Sequence, residues 1–289
     1  MKKGAVIFST CFIAPALLIY TLFVMIPTLA SAYYSLTEWN GIGAKIFVGL
    51  DNYIELFQDA DYLITFKNTM LLVFYSLIFQ VPVGLLMAYL LFRGLKGFKF
   101  FRTVYFLPVV IAPIAIGLMF SLFYNSEFGL FNQILESIGL GAWQKSWLSD
   151  MDVLLYAVMA PQVWQYIGLY IVIFLAALQS VPEEVLESAQ MDGAGPFRTF
   201  FMIVVPMIWE VVFICIVLSL TGSLKSFDHS WIMTMGGPGV RSAYLGVYMY
   251  KTAFINSSFG LGSAISVTIV GVSLLFTVLF KKIANKTFA

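Results

Sequence analysis

The chain alternates between long apolar stretches and shorter polar connections. A helix that crosses the hydrocarbon core of a bilayer needs roughly 20 mostly apolar residues. Six stretches satisfy this requirement and are predicted to be membrane spans: about 8–32, 69–92, 103–124, 153–178, 207–229 and 261–280. The pattern predicts an all-α, polytopic membrane protein with a single six-helix transmembrane domain over residues 1–289.

The first apolar stretch carries no charged residue between Lys3 and Glu38. It begins like a secretory signal peptide, and Ala30-Ser31-Ala32 is similar to a cleavage site. However, the apolar run before that point is too long for the core of a signal peptide. We therefore expect a retained membrane helix.

Composition agrees with the bilayer as the solvent of this protein. Hydrophobic residues make up 61% of the sequence and charged residues 11%, whereas soluble domains carry about 25% charged residues. Cys11 and Cys215 lie within apolar stretches, where cysteine usually behaves as a small hydrophobe. With His229 as the single histidine, we expect no Cys/His metal cluster, and the net charge of +1 gives no indication of nucleic-acid binding.

The distribution of basic residues predicts that both termini are cytoplasmic, because Lys and Arg accumulate in cytoplasmic loops. The connections 33–68 and 125–152 are acidic and are expected on the outer side. Basic residues instead occupy the connection 93–102 and the two ends of the chain: Arg93, Lys96, Lys99, Arg102, Lys2, Lys3, Lys281, Lys282 and Lys286.

A polar, acidic segment, EVLESAQMDGAGPFRTFFMIVVP, separates the fourth and fifth spans over residues 184–206. Residues 182–191 are predicted to form a short amphipathic helix, with Glu183, Glu184 and Glu187 near the positive end of its dipole. Its apolar face is predicted to consist of Val185, Leu186 and Ala189.

Gly193 is expected to end this helix in a left-handed conformation, and Pro196 to begin the next helix. An ordinary helix–turn–helix connection is the alternative interpretation. Two features disfavour it: the segment is longer than the 2–8 residues usual between bundle helices, and it presents small and acidic residues. Such a surface suits docking into a groove on another protein.

The motif in this segment resembles the EAA loop of binding-protein-dependent ABC importer permeases. The family pattern is E-A-A, three residues, G, nine residues and I-x-L-P; here it reads Glu187-Ser188-Ala189, Gly193 and Ile203-Val204-Val205-Pro206. Ser188 replaces an alanine and Val205 replaces the leucine, both with little change in size. Asp192-Gly193-Ala194 matches the D-G-A core that is common in the family.

In that family the loop is the coupling helix, which sits in a cleft of the cytoplasmic ATPase and converts closure of the ATPase dimer into movement of the membrane helices. The resemblance implies a cytoplasmic coupling loop over 180–206. Glu187 can accept charge-assisted hydrogen bonds from a partner. The residues implied to couple the chain to the ATPase are Glu184, Glu187, Ser188, Ala189, Asp192, Gly193 and Ala194.

A second stretch, residues 223–250, resembles the carbohydrate-importer permeases of the maltose and multiple-sugar type, and implies the first permease of the pair. The matching residues are Phe227-Asp228, Trp231, Met233-Thr234 and Gly236-Gly237-Pro238, together with GLGSAIS at 260–266. Taken alone, Gly236-Gly237-Pro238 would favour a generic turn at the membrane interface.

Polar residues within the spans are candidates for contact with a sugar, because amides can bond hydroxyls and aromatic rings can cover C–H faces. Packing and interface anchoring remain an alternative for the aromatic residues. Lys225 and Asp228 are three residues apart, so we expect them to share a helix face and either pair or contact cargo. His229 is expected to be an interface residue rather than a proton relay. The candidate cargo residues are Gln162, Gln165, Tyr166, Leu169, Ser223, Lys225, Ser226 and Asp228.

The residue types at the positions corresponding to the maltose site differ from the maltose pattern, which disfavours maltose itself. The sequence contains no G-x-x-x-x-G-K-[ST] phosphate loop, so this chain is expected to be no enzyme and to carry no cofactor. The resemblance implies two ATPase subunits that bind ATP and Mg²⁺, a second homologous permease in a heterodimer, and an extracytoplasmic solute-binding protein. It also implies the plasma membrane of a bacterium or archaeon, with lipid around the chain.

Two alternatives remain. A secondary transporter driven by an ion gradient would need carboxylates deep in the spans, yet the candidates, Glu210 and Asp228, lie near span ends. The second alternative, which agrees better with the sequence, is an importer of the same superfamily for a polyol or glycerol phosphate. An anionic cargo would call for Arg within the spans, where only Lys225 lies close.

Overall fold

The computed structural model describes residues 12–94 and 98–287, without the side chains of residues 98–99 and 283–287. The predictions on Lys2, Lys3, Cys11 and Lys96, and on the side chains of Lys99 and Lys286, lie outside the described residues.

Helices dominate the described chain, and one short antiparallel hairpin joins β1 (Thr37–Glu38) to β2 (Ile46–Phe47), with Thr37 opposite Phe47. The helices are α1 (Phe12–Tyr34), α2 (Asp51–Gln58), α3 (Ala60–Phe92), α4 (Phe98–Val110), α5 (Pro113–Phe123), α6 (Leu130–Ser137), α7 (Leu154–Leu178), α8 (Glu183–Met191), α9 (Pro196–Met207), α10 (Trp209–Leu224), α11 (Asp228–Thr234), α12 (Leu245–Tyr250) and α13 (Phe259–Thr287). Segments of π-helix occur at Thr21–Met25, Ser76–Gln80, Phe200–Val204 and Lys251–Ile255, and a 3₁₀ turn at Gly141–Trp143.

The all-α, polytopic prediction is confirmed. Within the described residues, five helical segments are long and apolar enough to span a membrane: Phe12–Tyr34, Ala60–Phe92, Leu154–Leu178, Trp209–Thr234 and Phe259–Lys282. α4 and α5 supply the sixth only as a broken pair, bent by 96°.

The prediction of one continuous stretch over 103–124 is wrong at its centre. Pro113 disfavours the helical conformation of the residue before it, and Ala112 is extended, with φ −57° and ψ 134°. The second span also begins earlier than residue 69. Asp61 and Lys67 lower the hydropathy of its first turns without interrupting the helix.

Packing divides the described residues into two compact units: those within 1–60 together with 249–270, and those within 61–248 together with 271–289. In the first unit, the Asn52 amide holds the start of the hairpin by donating to the carbonyls of Ser35 (2.9 Å) and Thr37 (3.0 Å). The Lys45 ammonium lies 4.1 Å from the ring centre of Tyr34 and 4.5 Å from that of Trp39. None of the apolar window of α1 is buried within the described chain.

The second unit depends on close approach of helices at glycines, as is common between membrane helices. An added Cβ at Gly84 of α3 would lie 2.6 Å from the Cβ of Tyr170 on α7. An added Cβ at Gly168 of α7 would collide with the backbone carbonyl oxygen of Tyr105 on α4. These contacts bring α4 against α7 and α3 against α7, and α3 and α7 both line the polar cavity described below.

Candidate functional site

The predicted helix over 182–191 is present as α8, and Pro182 is its N-cap residue, with φ −61° and ψ 134°. Glu183 and Glu184 lie in the first turn, where negative side chains interact favourably with the helix dipole. Ala189 is buried, and Val185 and Leu186 are half-buried. The predicted apolar face therefore packs onto the chain itself.

Gly193 ends α8 with φ +75°, as expected for a left-handed residue. The Gly193 N–H donates to the Gln190 carbonyl (3.0 Å), and the Ala194 N–H donates to the Ala189 carbonyl (2.9 Å). This pair of bonds is a Schellman motif. Pro196 then opens α9, as predicted.

The residues that were predicted to couple to an ATPase divide between two faces. Ala189 and Ala194 are buried or half-buried, so they support the turn from within. The Ser188 hydroxyl donates to the Glu184 carbonyl at 2.7 Å, within the helix. The exposed members are Glu184, Glu187, Ser188, Asp192 and Gly193, and two large apolar neighbours, Met191 and Phe197, are exposed beside them.

A groove of about 990 Å³ separates α8 from the end of α3. Tyr89 crosses beneath it: its hydroxyl donates to the Pro196 carbonyl at 3.5 Å, and its ring centre lies 4.6 Å from that of Phe200. Arg93 lines the same groove as Glu183. The segment from α8 to α9 is thus fixed against the end of α3 while its acidic surface stays exposed.

A second cavity, of about 270 Å³, lies between α3, α7 and the break between α10 and α11; we call it the polar cavity. Seven of the eight predicted cargo residues line it: Gln162, Tyr166, Leu169, Ser223, Lys225, Ser226 and Asp228.

Hydrogen bonds between amides and hydroxyls join the helices around the polar cavity. The Ser226 hydroxyl donates to Oε1 of Gln162 at 2.8 Å. The Ser219 hydroxyl donates to Oε1 of Gln80 at 3.1 Å, and Nε2 of Gln80 donates to the Val163 carbonyl at 3.4 Å. The cavity wall therefore carries buried polar groups that already have partners on neighbouring helices.

The expectation that Lys225 and Asp228 share one helix face is wrong. α10 ends at Leu224 and α11 begins at Asp228, because the chain leaves the helical conformation at Phe227 (φ −142°). The ion pairs among the described residues do not include Lys225 with Asp228. Both line the polar cavity, which gives it one ammonium and one carboxylate group.

Gln165 is not brought to the polar cavity. It is fully buried, and its Nε2 donates to the carbonyls of Pro108 (3.2 Å) and Ile111 (2.9 Å). These carbonyls lie at the bend between α4 and α5, where regular helical bonding is interrupted. The geometry indicates that Gln165 stabilises the broken span.

His229, which was predicted to be an interface residue, is 1% exposed and lines the polar cavity. Tyr170, Gln80 and Ser219 also line this cavity, although none was among the predicted cargo residues. Gln80 could have been found as an amide inside an apolar span. Ser219 gives no such signal, because an isolated serine is common in membrane helices.

Comparisons with known proteins agree on one family. The model of the family described as "binding-protein-dependent transport system inner membrane component" matches residues 80–288. The probable ABC transporter permease protein YurN of Bacillus subtilis is 38% identical over 274 residues, covering 94% of each chain. The diacetylchitobiose uptake system permease protein NgcF of Streptomyces coelicolor is 32% identical over 286 residues, covering 95% of this chain and 81% of that protein.

A solved bacterial alginate ABC transporter, in complex with an alginate pentasaccharide-bound periplasmic protein, has a similar fold. Its TM-score is 0.85 at 20% sequence identity, and the match covers 99% of this chain and 96% of the other.

Proposed function

Because the chain belongs to the family of binding-protein-dependent transport system inner membrane components, we propose that it is the permease subunit of an ATP-driven ABC importer for a sugar or oligosaccharide. As such it is a transport component, and ATP and Mg²⁺ bind to a separate ATPase chain. The observation that carries the proposal is the polar cavity, which is lined by α7 and α10, the long helices before and after the α8–α9 segment.

The chemistry of the polar cavity favours a sugar. Gln162, Gln80 and serine hydroxyls offer hydrogen bonds to cargo hydroxyls, and Tyr166 and Tyr170 offer flat apolar surface to sugar rings. Among the described lining residues the single ammonium group, Lys225, is balanced by one carboxylate, which disfavours an anionic cargo. The name of NgcF, a diacetylchitobiose uptake system permease, supports a sugar as the cargo.

The size of the polar cavity supports a shared site. Its volume of about 270 Å³ lies just below the roughly 300–1,000 Å³ of small-molecule pockets. We infer that a second, homologous permease supplies the opposite wall of a larger site in a heterodimer. An extracytoplasmic solute-binding protein delivers the sugar to this site.

The exposed surface of α8 is the part of the chain that docks to the ATPase. Arg93 belongs to the basic connection 93–102 and lines the same groove as α8, which supports a common, cytoplasmic location for both. Two ATPase subunits then serve the permease pair. Closure of the ATPase dimer on ATP moves α8, and through Tyr89 and Phe200 the movement reaches α3. Hydrolysis resets the spans toward the cytoplasm.

The test is the ATPase activity of the complete complex in vesicles, measured across neutral sugars, a polyol and glycerol phosphate. We expect stimulation by a neutral sugar that depends on the binding protein. Stimulation by the polyol or glycerol phosphate alone would keep the importer and overturn the sugar. Cargo uptake that follows an ion gradient without ATP would overturn the importer.

A further inference from the structure

The connection between α5 and α7 carries an amphipathic helix with an exposed apolar stripe. Leu130, Ile134 and Ile138 recur every four residues from the start of α6 to the residue after it, so they lie along one side. They are 58%, 47% and 62% exposed, respectively. We call these three residues the α6 stripe.

The α6 stripe lies between two other faces of the helix. Phe131 and Leu135 form the face that packs on the chain, and the ring centre of Phe131 lies 4.8 Å from that of Trp147. Gln133 is exposed on the side opposite Phe131 and Leu135, and Glu136 is exposed beside Gln133. α6 therefore has a protein-facing side, a polar side and an apolar stripe between them.

The orientation of α6 is fixed by contacts within its own connection. Oδ1 of Asn132 accepts a 2.8 Å hydrogen bond from the Trp147 indole N–H, and Nδ2 of Asn132 donates to the Lys145 carbonyl at 3.1 Å. Lys145 forms a 3.1 Å ion pair with Asp150. Because these bonds hold the helix, rotation that would bury the stripe against the chain would break them.

We propose that α6 lies in the membrane interface, with the α6 stripe in contact with lipid acyl chains. The preceding helix, α5, belongs to the broken membrane span and ends at Phe123 with Leu122 exposed. Residues 124–129 alone separate α5 from α6, so the α6 stripe begins within a few residues of one end of this span. Trp143, 68% exposed just beyond α6, is a residue type that favours this interface.

The charged residues of α6 favour contact with the acyl chains of the lipid over contact with anionic headgroups. α6 carries Glu136 and no basic residue, so attraction to anionic headgroups cannot contribute to its binding. The apolar stripe and the acyl chains remain as the interacting surfaces.

The experiment uses two matched positions on α6. In the full chain with Cys11→Ser and Cys215→Ser, Ile134→Cys and Gln133→Cys each receive a polarity-sensitive NBD fluorophore. The proteins are placed in phosphatidylcholine vesicles that contain brominated acyl chains, alone and with the second permease and ATPase. Aqueous iodide is the opposing quencher.

Interfacial helices bury their apolar face about 5–10 Å into the headgroup–acyl boundary. Brominated lipid should therefore quench the fluorescence at position 134 at least about twofold more strongly than at position 133. Iodide should show the reverse order. Equal access of iodide to both positions, or protection of position 134 from lipid once the second permease is added, would overturn the proposal. Ile138→Cys repeats the test if the substitution at 134 prevents folding.

Discussion

The Ser226 hydroxyl donates a 2.8 Å hydrogen bond to Oε1 of Gln162, which joins the break between α10 and α11 to α7. Both side chains are buried and both line the polar cavity. While it donates to Gln162, the Ser226 hydroxyl oxygen can accept a hydrogen bond from a sugar hydroxyl. We therefore expect the pair to report both cargo binding and the relative position of the two helices.

Ser226→Ala should weaken cargo binding, because it removes the hydroxyl oxygen that accepts a hydrogen bond from the cargo. Loss of one buried hydrogen bond of about 1.4 kcal/mol corresponds to about tenfold. The measurement is the sugar concentration that gives half-maximal ATPase stimulation. Thr221→Ala is the control, since the Thr221 hydroxyl bonds to Val217 of its own helix. Equal shifts in both variants would exclude Ser226 from the cargo site.

Gln165→Leu should reduce stability and leave cargo affinity unchanged. The Pro108 and Ile111 carbonyls would lose their donor, at a cost of about 1–3 kcal/mol. Thermal unfolding of the purified complex measures the first effect and the sugar dependence of its ATPase activity the second. A change in sugar affinity at unchanged stability would show that Gln165 contributes to cargo binding and not to the stability of the broken span.

Gly193→Asp should impair coupling, whereas Gly193→Asn should preserve it. Asn and Asp both tolerate a positive φ, and a Cβ at this position meets no atom within 4 Å. The two variants therefore differ mainly in charge on an exposed surface. If that surface docks to the ATPase, burying another unpaired carboxylate there is costly. The measurement is sugar-stimulated ATPase activity at matched protein levels in the membrane; equal activity of both variants would argue against docking at Gly193.

Gly168→Ala should destabilise the packing of α7 on α4, because the added methyl group meets the Tyr105 backbone. Overpacking of this kind costs about 1–3 kcal/mol. Gly271→Ala is the matched control, since nothing lies within 4 Å of its added Cβ. The fraction of folded protein after heating in detergent should fall for Gly168→Ala alone. Equal loss in both variants would show that the close approach at Gly168 is unimportant.

Local rules account for what could be predicted from the sequence. Pro182, Gly193 and Pro196 determine where α8 begins, where it ends and where α9 starts, and all three act through their own backbone preferences. The spans follow from apolar length in the same way. The 96° bend before Pro113 was not predicted, because the residues on both sides of Ala112 are apolar. Hydropathy measures that apolar character and contains no information about the direction of the chain.

The polar cavity was predictable only in part. Gln162 and Gln165 are three residues apart, so helical spacing places both on one face. Their partners differ: Ser226 for Gln162, and carbonyls of the broken span for Gln165. That difference arises from tertiary packing, as does the burial of His229. A helix break at Phe227 separates Lys225 from Asp228. No proline or glycine lies at this break, so the sequence did not predict it.

Simultaneous recording of sugar uptake and ATP hydrolysis by the complete complex in vesicles tests the central claim most directly. The wild-type chain should accumulate sugar only with ATP and the binding protein, and Gly193→Asp should lower uptake at equal protein content. Sugar accumulation that continues without ATP hydrolysis, in wild type and variant alike, would contradict the claim that this chain couples an ATPase to sugar import.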